Sequence, residues 1–274
     1  MTANAAQIEY WNGPVGERWA AYQDVLDRAL ADISSTLLAF ADAKPGERVL
    51  DIGCGCGTTT YTLAKAVGPS GSVTGVDISQ PMLKVARGRG TGANFLHADA
   101  STHLFHPTHD LVFSRFGVMF FDDPVAAFAN IRKALKPHGR IAFVCWRDVK
   151  ENMWASVPIG AAMPLLPPQE PADPLAPGPF AYADKDRLTR ILSDAGYGGI
   201  RIDKLDATMY MGANLDEAAD QALRVGPLAR AAAELDDATR AKIRATVREA
   251  LAKYATANGV APPAACWLVG ANPK

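Results

Sequence analysis

This sequence of 274 residues lacks a basic excess: 28 lysines and arginines face 29 aspartates and glutamates, a formal net charge of −1. Proteins that grip a phosphate backbone carry a basic surplus or stripe. The longest basic clusters here, Arg87–Arg89 and Arg132–Lys133, are short, so a small partner is expected rather than long nucleic acid. A long apolar run is missing too. The most apolar stretch, 157–168, is short and broken by prolines, which excludes a membrane span there. Residues 1–13 are polar and lack a basic segment followed by an apolar one, so no secretory signal is expected. Four cysteines (Cys54, Cys56, Cys145 and Cys266) are too few for a disulfide framework. All but Cys56 fall in apolar strand contexts, which suits reduced thiols and a cytoplasmic location. Cys54 and Cys56 are accompanied by neither a second cysteine pair nor a histidine cluster, so no metal site is expected.

What is present is strand–helix alternation at short spacing. Residues 1–45 read as helical, with Ala20, Val25, Leu30, Ile33 and Leu37 at helical spacing, closed by Lys44-Pro45-Gly46. A strand over 48–52 runs into the cluster Gly53-Cys54-Gly55-Cys56-Gly57, and a helix over 58–67 follows. A second strand, 72–76, ends at Asp77; Ser79 then caps a helix with Pro81 in its first turn. The third strand, 94–98, ends at Asp99, and the fourth covers 110–114. A helix from Asp122-Asp123-Pro124 reaches Leu135, is stopped by Lys136-Pro137-His138-Gly139, and gives way to a fifth strand over 140–146. This order predicts an α/β fold, a parallel sheet with helices on both faces.

The regularity breaks after Trp146. Residues 164–179 hold seven prolines (Pro164, Pro167, Pro168, Pro171, Pro174, Pro177 and Pro179) and read as a loop or cap. Helix signals resume over 186–195, then a strand over 199–205, a helical region over 216–258 and a final strand over 264–270. The expected organisation is a helical segment at 1–45, a core at 46–147, a Pro-rich cap at 148–184, and the remainder of the core at 185–274 with a helical insertion at 206–262.

Chemistry concentrates at the carboxyl ends of the first four strands, where open α/β sheets bind ligands. The glycines permit a sharp turn and a close approach of backbone to ligand. Asp77 is placed to accept from two ribose hydroxyls, and Asp99 from an adenine amino group. Either carboxylate alone equally suits a helix cap. Ordered on successive strands after a glycine loop, they point to a nucleoside. A dinucleotide fingerprint would put its third glycine at position 58, which is Thr58; with Asp51 two places before Gly53, this disfavours a nicotinamide cofactor and an oxidoreductase.

Val49-Leu50-Asp51-Ile52-Gly53-Cys54-Gly55-Cys56-Gly57 resembles motif I of class I S-adenosylmethionine-dependent methyltransferases. Val76-Asp77-Ile78-Ser79 resembles their acidic motif, and His97-Ala98-Asp99-Ala100 their adenine-binding motif. The segments 110–114 and 135–140 resemble the later motifs, with His138 where glycine is common. The likeness covers roughly 45–147 and is nearest to the small-molecule branch that includes quinone-biosynthesis enzymes. It implies a Rossmann-like seven-stranded sheet with an antiparallel last strand, and S-adenosyl-L-methionine as cofactor. It further implies that Gly53, Cys54 and Gly55 approach the methionine part, Asp77 holds the ribose, Ile78 packs on the adenine, Asp99 and Ala100 take its amino edge, and Ser114 lies beside the amino-acid end. Tyr10, Trp11 and Trp19 either fold over the cofactor or pack the first helix on the sheet.

Methyl transfer from a sulfonium needs alignment and water exclusion more than a base, and none is nominated among the five histidines. His97 falls inside a strand, His138 in a turn, and His103, His106 and His109 before the fourth strand. Arg115 and Arg147, just past strands four and five, are placed either to bind an acidic acceptor or to pair with carboxylates. There is no Pro-Cys dipeptide, the mark of cytosine C5 methylation, and Ser114-Arg115-Phe116-Gly117 stands where amino-methylating enzymes of DNA or protein carry Asn/Asp-Pro-Pro-aromatic. A small apolar or aromatic acceptor is expected, lined by residues such as Val118, Met119, Phe120, Met153, Trp154 and Phe180. The alternatives are a tRNA or rRNA methyltransferase and a non-catalytic binding module.

Overall fold

The computed structural model describes residues 4–90, 92–168, 173 and 175–274. Four short helices open the chain: α1 (Ala5–Asn12), α2 (Pro14–Ala21), α3 (Gln23–Ala29) and α4 (Ala31–Ala41). Gly13-Pro14 makes the first break, with proline at the helix start, where its missing N–H costs nothing. Then follow β1 (Arg48–Ile52), α5 (Thr58–Val67), β2 (Ser72–Asp77), α6 (Gln80–Gly88), β3 (Asn94–His97), β4 (His109–Arg115), α7 (Pro124–Arg132) and β5 (Leu135–Trp146). Next come α8 (Met153–Ala162), α9 (Lys185–Asp194), β6 (Tyr197–Thr208), α10 (Leu215–Arg224), α11 (Pro227–Ala231) and α12 (Asp237–Leu251). The hairpin β7 (Ala255–Thr256) and β8 (Gly259–Val260) leads into β9 (Pro263–Pro273).

One seven-stranded sheet carries the fold, in the order β3-β2-β1-β4-β5-β9-β6. The first five are parallel neighbours, and β9 inserts antiparallel between β5 and β6. The expected class I topology is therefore present. Chain order reverses between β1 and β4, and a crevice opens outside the strand ends at such a reversal. Both faces are covered. Phe128 of α7 packs on Phe143, 5.5 Å between rings, while Phe40 of α4 lies against Gly270, the partner of Ala142. Adjacent residues of a strand point to opposite faces, so α4 and α7 flank the sheet on opposite sides. The buried β1 run Val49-Leu50-Asp51-Ile52 is what a parallel strand covered on both faces requires.

Several boundaries differ from the sequence reading. The helix after Asp123 stops at Arg132, and β5 begins at Leu135, not at 140. Lys136 to Gly139 form an irregularity within it, since pairing jumps from His109↔Leu135 to Leu111↔Arg140. β6 extends to Thr208 because it pairs with β9 along its whole later half. It is the edge strand, and Arg201, Asp203, Lys204 and Asp206 give it the charge that keeps an edge from further pairing. The helical reading of 216–258 divides at Gly226, whose φ of 99° and following proline end one helix and start another, and its last residues belong to the hairpin. In the Pro-rich stretch, Gly178 N–H donates to Met119 O at 3.0 Å, drawing the segment over the turn after β4; Pro171 and Pro174 lie outside the described residues. Among the described residues no helix is long and apolar enough to cross a membrane.

Candidate active site

The loop after β1 is built from left-handed glycines: Gly53, Gly55 and Gly57 have φ of 64°, 54° and 83°. They do different jobs. A Cβ on Gly53 would lie 2.5 Å from Gly117 Cα, so here the backbone of the β1 loop packs on the turn after β4. Ser114 secures that contact: its hydroxyl donates to Ile52 O (2.7 Å) and accepts from Gly117 N–H (3.1 Å). A Cβ on Gly55 would meet only Met82 Sδ, at 3.7 Å. The Cys54 side chain is buried away from the loop's open side, against Gly75, whose own Cβ would come within 2.8 Å of Cys54 Sγ.

Asp77 ties this loop to β2. One carboxylate oxygen accepts from Gly55 N–H and the other from Ser79 N–H, each at 2.8 Å. Ser79 in turn caps α6. Asp77 is buried, and desolvation raises its pKa against the pull of those N–H groups. At the end of β3, Asp99 Oδ1 accepts from Ser101 N–H (2.8 Å) and Asn4 Nδ2 (3.1 Å). Its Oδ2 is buried and has no partner among the described residues. Ala100 is buried beside it.

The N-terminal helix closes over these strand ends, a role read only in outline from its aromatics. Asn4 exchanges a pair of hydrogen bonds with the Asp122 backbone N–H and carboxylate, at 2.8 and 2.7 Å. Asn12 donates to Ile78 O (2.8 Å) and accepts from Gln80 N–H (2.9 Å). Ser79 Oγ donates to Trp11 O at 2.7 Å, and Trp11 sits edge-on to Phe120 and Trp19. The spacing of Asn4, Ile8, Trp11 and Asn12, all on one helical face, was the available signal.

Asp51 was read only as an argument against a dinucleotide. It is fully buried; Oδ2 accepts from Thr59 (2.9 Å) and Thr60 (2.7 Å), and Oδ1 has no hydrogen-bond partner among the described residues. Burial pushes its pKa up to about 6, with the threonine hydrogen bonds opposing. Arg115 donates to Ser34 Oγ at 2.9 Å. Arg147 is committed elsewhere: it pairs with Glu151 and Asp206 and stacks over Trp267. His97 hydrogen-bonds Ile78 O, His109 approaches Ala134 O, and His103 stands edge-on to Phe105. Burial raises the Cys54 thiol pKa strongly and that of Cys56 to about 12, so neither is a ready thiolate. Among the described residues no group of acidic, histidine and cysteine side chains is placed to hold a metal.

Beyond β4 and β5 lies an aromatic wall. Phe116, at φ 63°, stacks on Trp146 at 4.1 Å and 13°. Trp146 meets Trp154 at 4.8 Å, and Trp154 meets Phe180 at 6.4 Å.

Residues 49–139 match the model of a methyltransferase domain family. Residues 49–139 thus resemble a methyltransferase domain, and the sheet around them has the fold of solved methyltransferases. It is 29% identical over 187 residues to the demethylmenaquinone methyltransferase of Staphylococcus aureus, covering 62% of this chain and 76% of that one. It is 38% identical over 117 residues to an uncharacterized 37.1 kDa transposon protein of Streptomyces fradiae, covering 41% of this chain and about a third (34%) of that protein's length. Its fold matches a putative methyltransferase of Bacillus halodurans (TM-score 0.57, 17% identity, 89% of this chain and 100% of that one). It also matches a phosphoethanolamine N-methyltransferase 2 of Haemonchus contortus solved with S-adenosyl-L-methionine (TM-score 0.59, 17% identity, 100% of this chain and 61% of that one). The matched segment spans β1 to the start of β5, the strands whose ends carry the candidate site.

The two loop glycines are expected to separate on mutation. Gly53→Ala forces backbone apart and should cost roughly 2–4 kcal/mol in urea unfolding, against about 1–2 kcal/mol for the left-handed strain alone at Gly55→Ala. Equal losses would contradict the packing role of Gly53. The Asp51 shift has a sign that pH-dependent unfolding can read. Between about pH 4 and 6 the native carboxyl keeps a proton that the unfolded one has lost, so its contribution to stability falls as pH rises, by up to ~3 kcal/mol. Ligand-free Asp51→Asn should therefore gain on the parent protein across that window. Parallel stability curves would refute the assignment.

Proposed function

We propose that this methyltransferase transfers the methyl group of S-adenosylmethionine to a small apolar or aromatic acceptor held against the wall of Phe116, Trp146, Trp154 and Phe180. The observation that carries the reading is that this wall adjoins the glycine loop's side of the sheet, beginning two residues after Ser114. Phe116 and Phe180, the half-buried members, lie against buried Trp146 and Trp154 and offer an apolar ligand surface without charge. The similarity to a demethylmenaquinone methyltransferase supports an acceptor of this kind.

The cofactor fits the residues present. Asp99 Oδ2 is a buried acceptor with no donor among the described residues, and an adenine amino group would supply one. On this reading Asp77, already fixed by two N–H donors, keeps further lone pairs for the ribose hydroxyls. Ile78 and Ala100 pack on the base, and the backbone of Gly53, Cys54 and Gly55 lies along the methionine part. Ser114 acts through the loop, because its hydroxyl already donates to Ile52 O and accepts from Gly117 N–H. When bound, S-adenosylmethionine would supply an activated methyl group on its sulfonium. The protein's part is to align that group with the acceptor and exclude water, to which the cover of α1 and α2 contributes.

Calorimetry with S-adenosylhomocysteine tests the cofactor site. The parent chain is expected to bind it one to one, and Asp77→Asn to lose ~1.5–3 kcal/mol of binding. Heat with NADH and none with the adenosyl ligand would overturn the reading. Trp154→Ala is expected to keep S-adenosylhomocysteine affinity within about twofold while acceptor methylation, followed by label transfer across an aromatic panel, falls about tenfold or more. Undiminished methylation would remove the wall from the acceptor site.

A further inference from the structure

Helix α10 buries Ala218, Ala219, Ala222 and Leu223, and among these apolar residues stands Gln221, 7% exposed. Its amide nitrogen, Nε2, is buried and has no hydrogen-bond partner among the described residues. A buried amide left unpaired costs free energy that a leucine in its place would not. The position therefore calls for a partner that the chain itself does not supply. The charges of α10 are engaged elsewhere. Asp216 and Asp220 bond to Arg244 of α12, Glu217 to Asn214, and Arg224 lies over the Tyr22 ring at 5.3 Å.

Gln221 lines a small cavity with Trp154, Met209, Met211, Val225 and Leu228. It has room for about one water-sized group. The other lining side chains are apolar, and the Trp154 indole N–H is taken by Asn152 Oδ1 at 3.0 Å. Two neighbours tie this cavity to the candidate site. Trp154 belongs to the aromatic wall, meeting Trp146 at 4.8 Å. The segment after α10 touches the helices that cover the strand ends: Arg18 of α2 donates to Arg224 O at 3.4 Å, and Arg230 of α11 lies over the Tyr10 ring at 5.9 Å. A free water suits the cavity poorly, since about two to four polar partners hold a buried water and Gln221 is one. An oxygen carried on an apolar body needs only that one, because packing holds the body. Such an oxygen is neutral: no cationic side chain lines the cavity, among the described residues, to balance a carboxylate or phosphate.

We infer that Gln221 is an acceptor-binding residue: its Nε2 donates to a neutral carbonyl or hydroxyl oxygen on an acceptor whose ring rests on Trp154, and so selects oxygenated over hydrocarbon rings. The inference rests on the acceptor reading above and deepens it, and the experiment separates the two. Equilibrium dialysis against the chain saturated with S-adenosylhomocysteine compares 1-tetralone, tetralin, which lacks the oxygen, and 1-naphthoate, which carries a charge. The parent is expected to bind 1-tetralone about five- to 50-fold more tightly than tetralin, although tetralin is the more hydrophobic. It is also expected to bind 1-tetralone more tightly than 1-naphthoate. In Gln221→Leu the ketone preference falls to about twofold or less, while S-adenosylhomocysteine binds within about twofold of the parent. The melting temperature of that variant holds or rises, because an unpaired amide has been removed. Should Gln221→Leu not fold, Gln221→Met, which keeps the length and flexibility of the side chain, carries the comparison. If the parent binds none of the three rings, the acceptor reading fails and this inference with it. If it binds 1-tetralone and tetralin alike, or if the ketone preference survives in the variants, the acceptor reading stands and the role of Gln221 is refuted. Tightest binding of 1-naphthoate would refute the neutral oxygen.

Discussion

Everything in the site is organised around the carboxylate of Asp77. It holds the glycine loop, the end of β2 and the start of α6 in a single arrangement, through Gly55 N–H and Ser79 N–H. A buried carboxylate is costly unless hydrogen-bonded, so the loop must present its N–H groups there, and left-handed glycines let it do so. Ser79 passes the constraint on by donating to Trp11 O, which brings the N-terminal helices down over the strand ends. Gly16 shows how close that approach is: a Cβ there would overlap Trp11 O.

The second organising contact is backbone on backbone. Gly53 and Gly117 bring the ends of β1 and β4 together at the reversal point of the sheet, with Ser114 bonded across them. Strands β1 and β4 therefore deliver Asp51 and Arg115 to one place, and the turn after β4 delivers Phe116 to the aromatic wall. Polar chemistry lies on one side of this junction and an apolar surface on the other. That division suits a reaction needing a charged donor and a sheltered, aligned acceptor.

Most of the sheet was legible because each parallel strand is an apolar run ended by a chemically distinctive residue: Asp77 on β2, Asp99 just past β3, Ser114 on β4. Propensity and turn signals act locally, so their order along the chain was enough. What was hidden depends on distant contacts. Asn4 meets Asp99 across 95 residues and Asn12 meets Ile78 across 66, and beyond their shared helical face nothing local marks either asparagine as part of a site. The charges of β6 masked a long edge strand that β9 fixes by pairing. The separate duties of Gly53 and Gly55 are likewise invisible in a G-x-G pattern, since only the neighbouring Gly117 distinguishes them.

The most direct test of the central claim is a crystal structure of the chain grown with S-adenosylhomocysteine. The account places the nucleoside between Asp77 and Asp99 beneath α1, with Asp99 Oδ2 on the adenine amino group. Electron density for the nucleoside away from those two carboxylates, or an Asp99 Oδ2 still unpartnered in the complex, would contradict it.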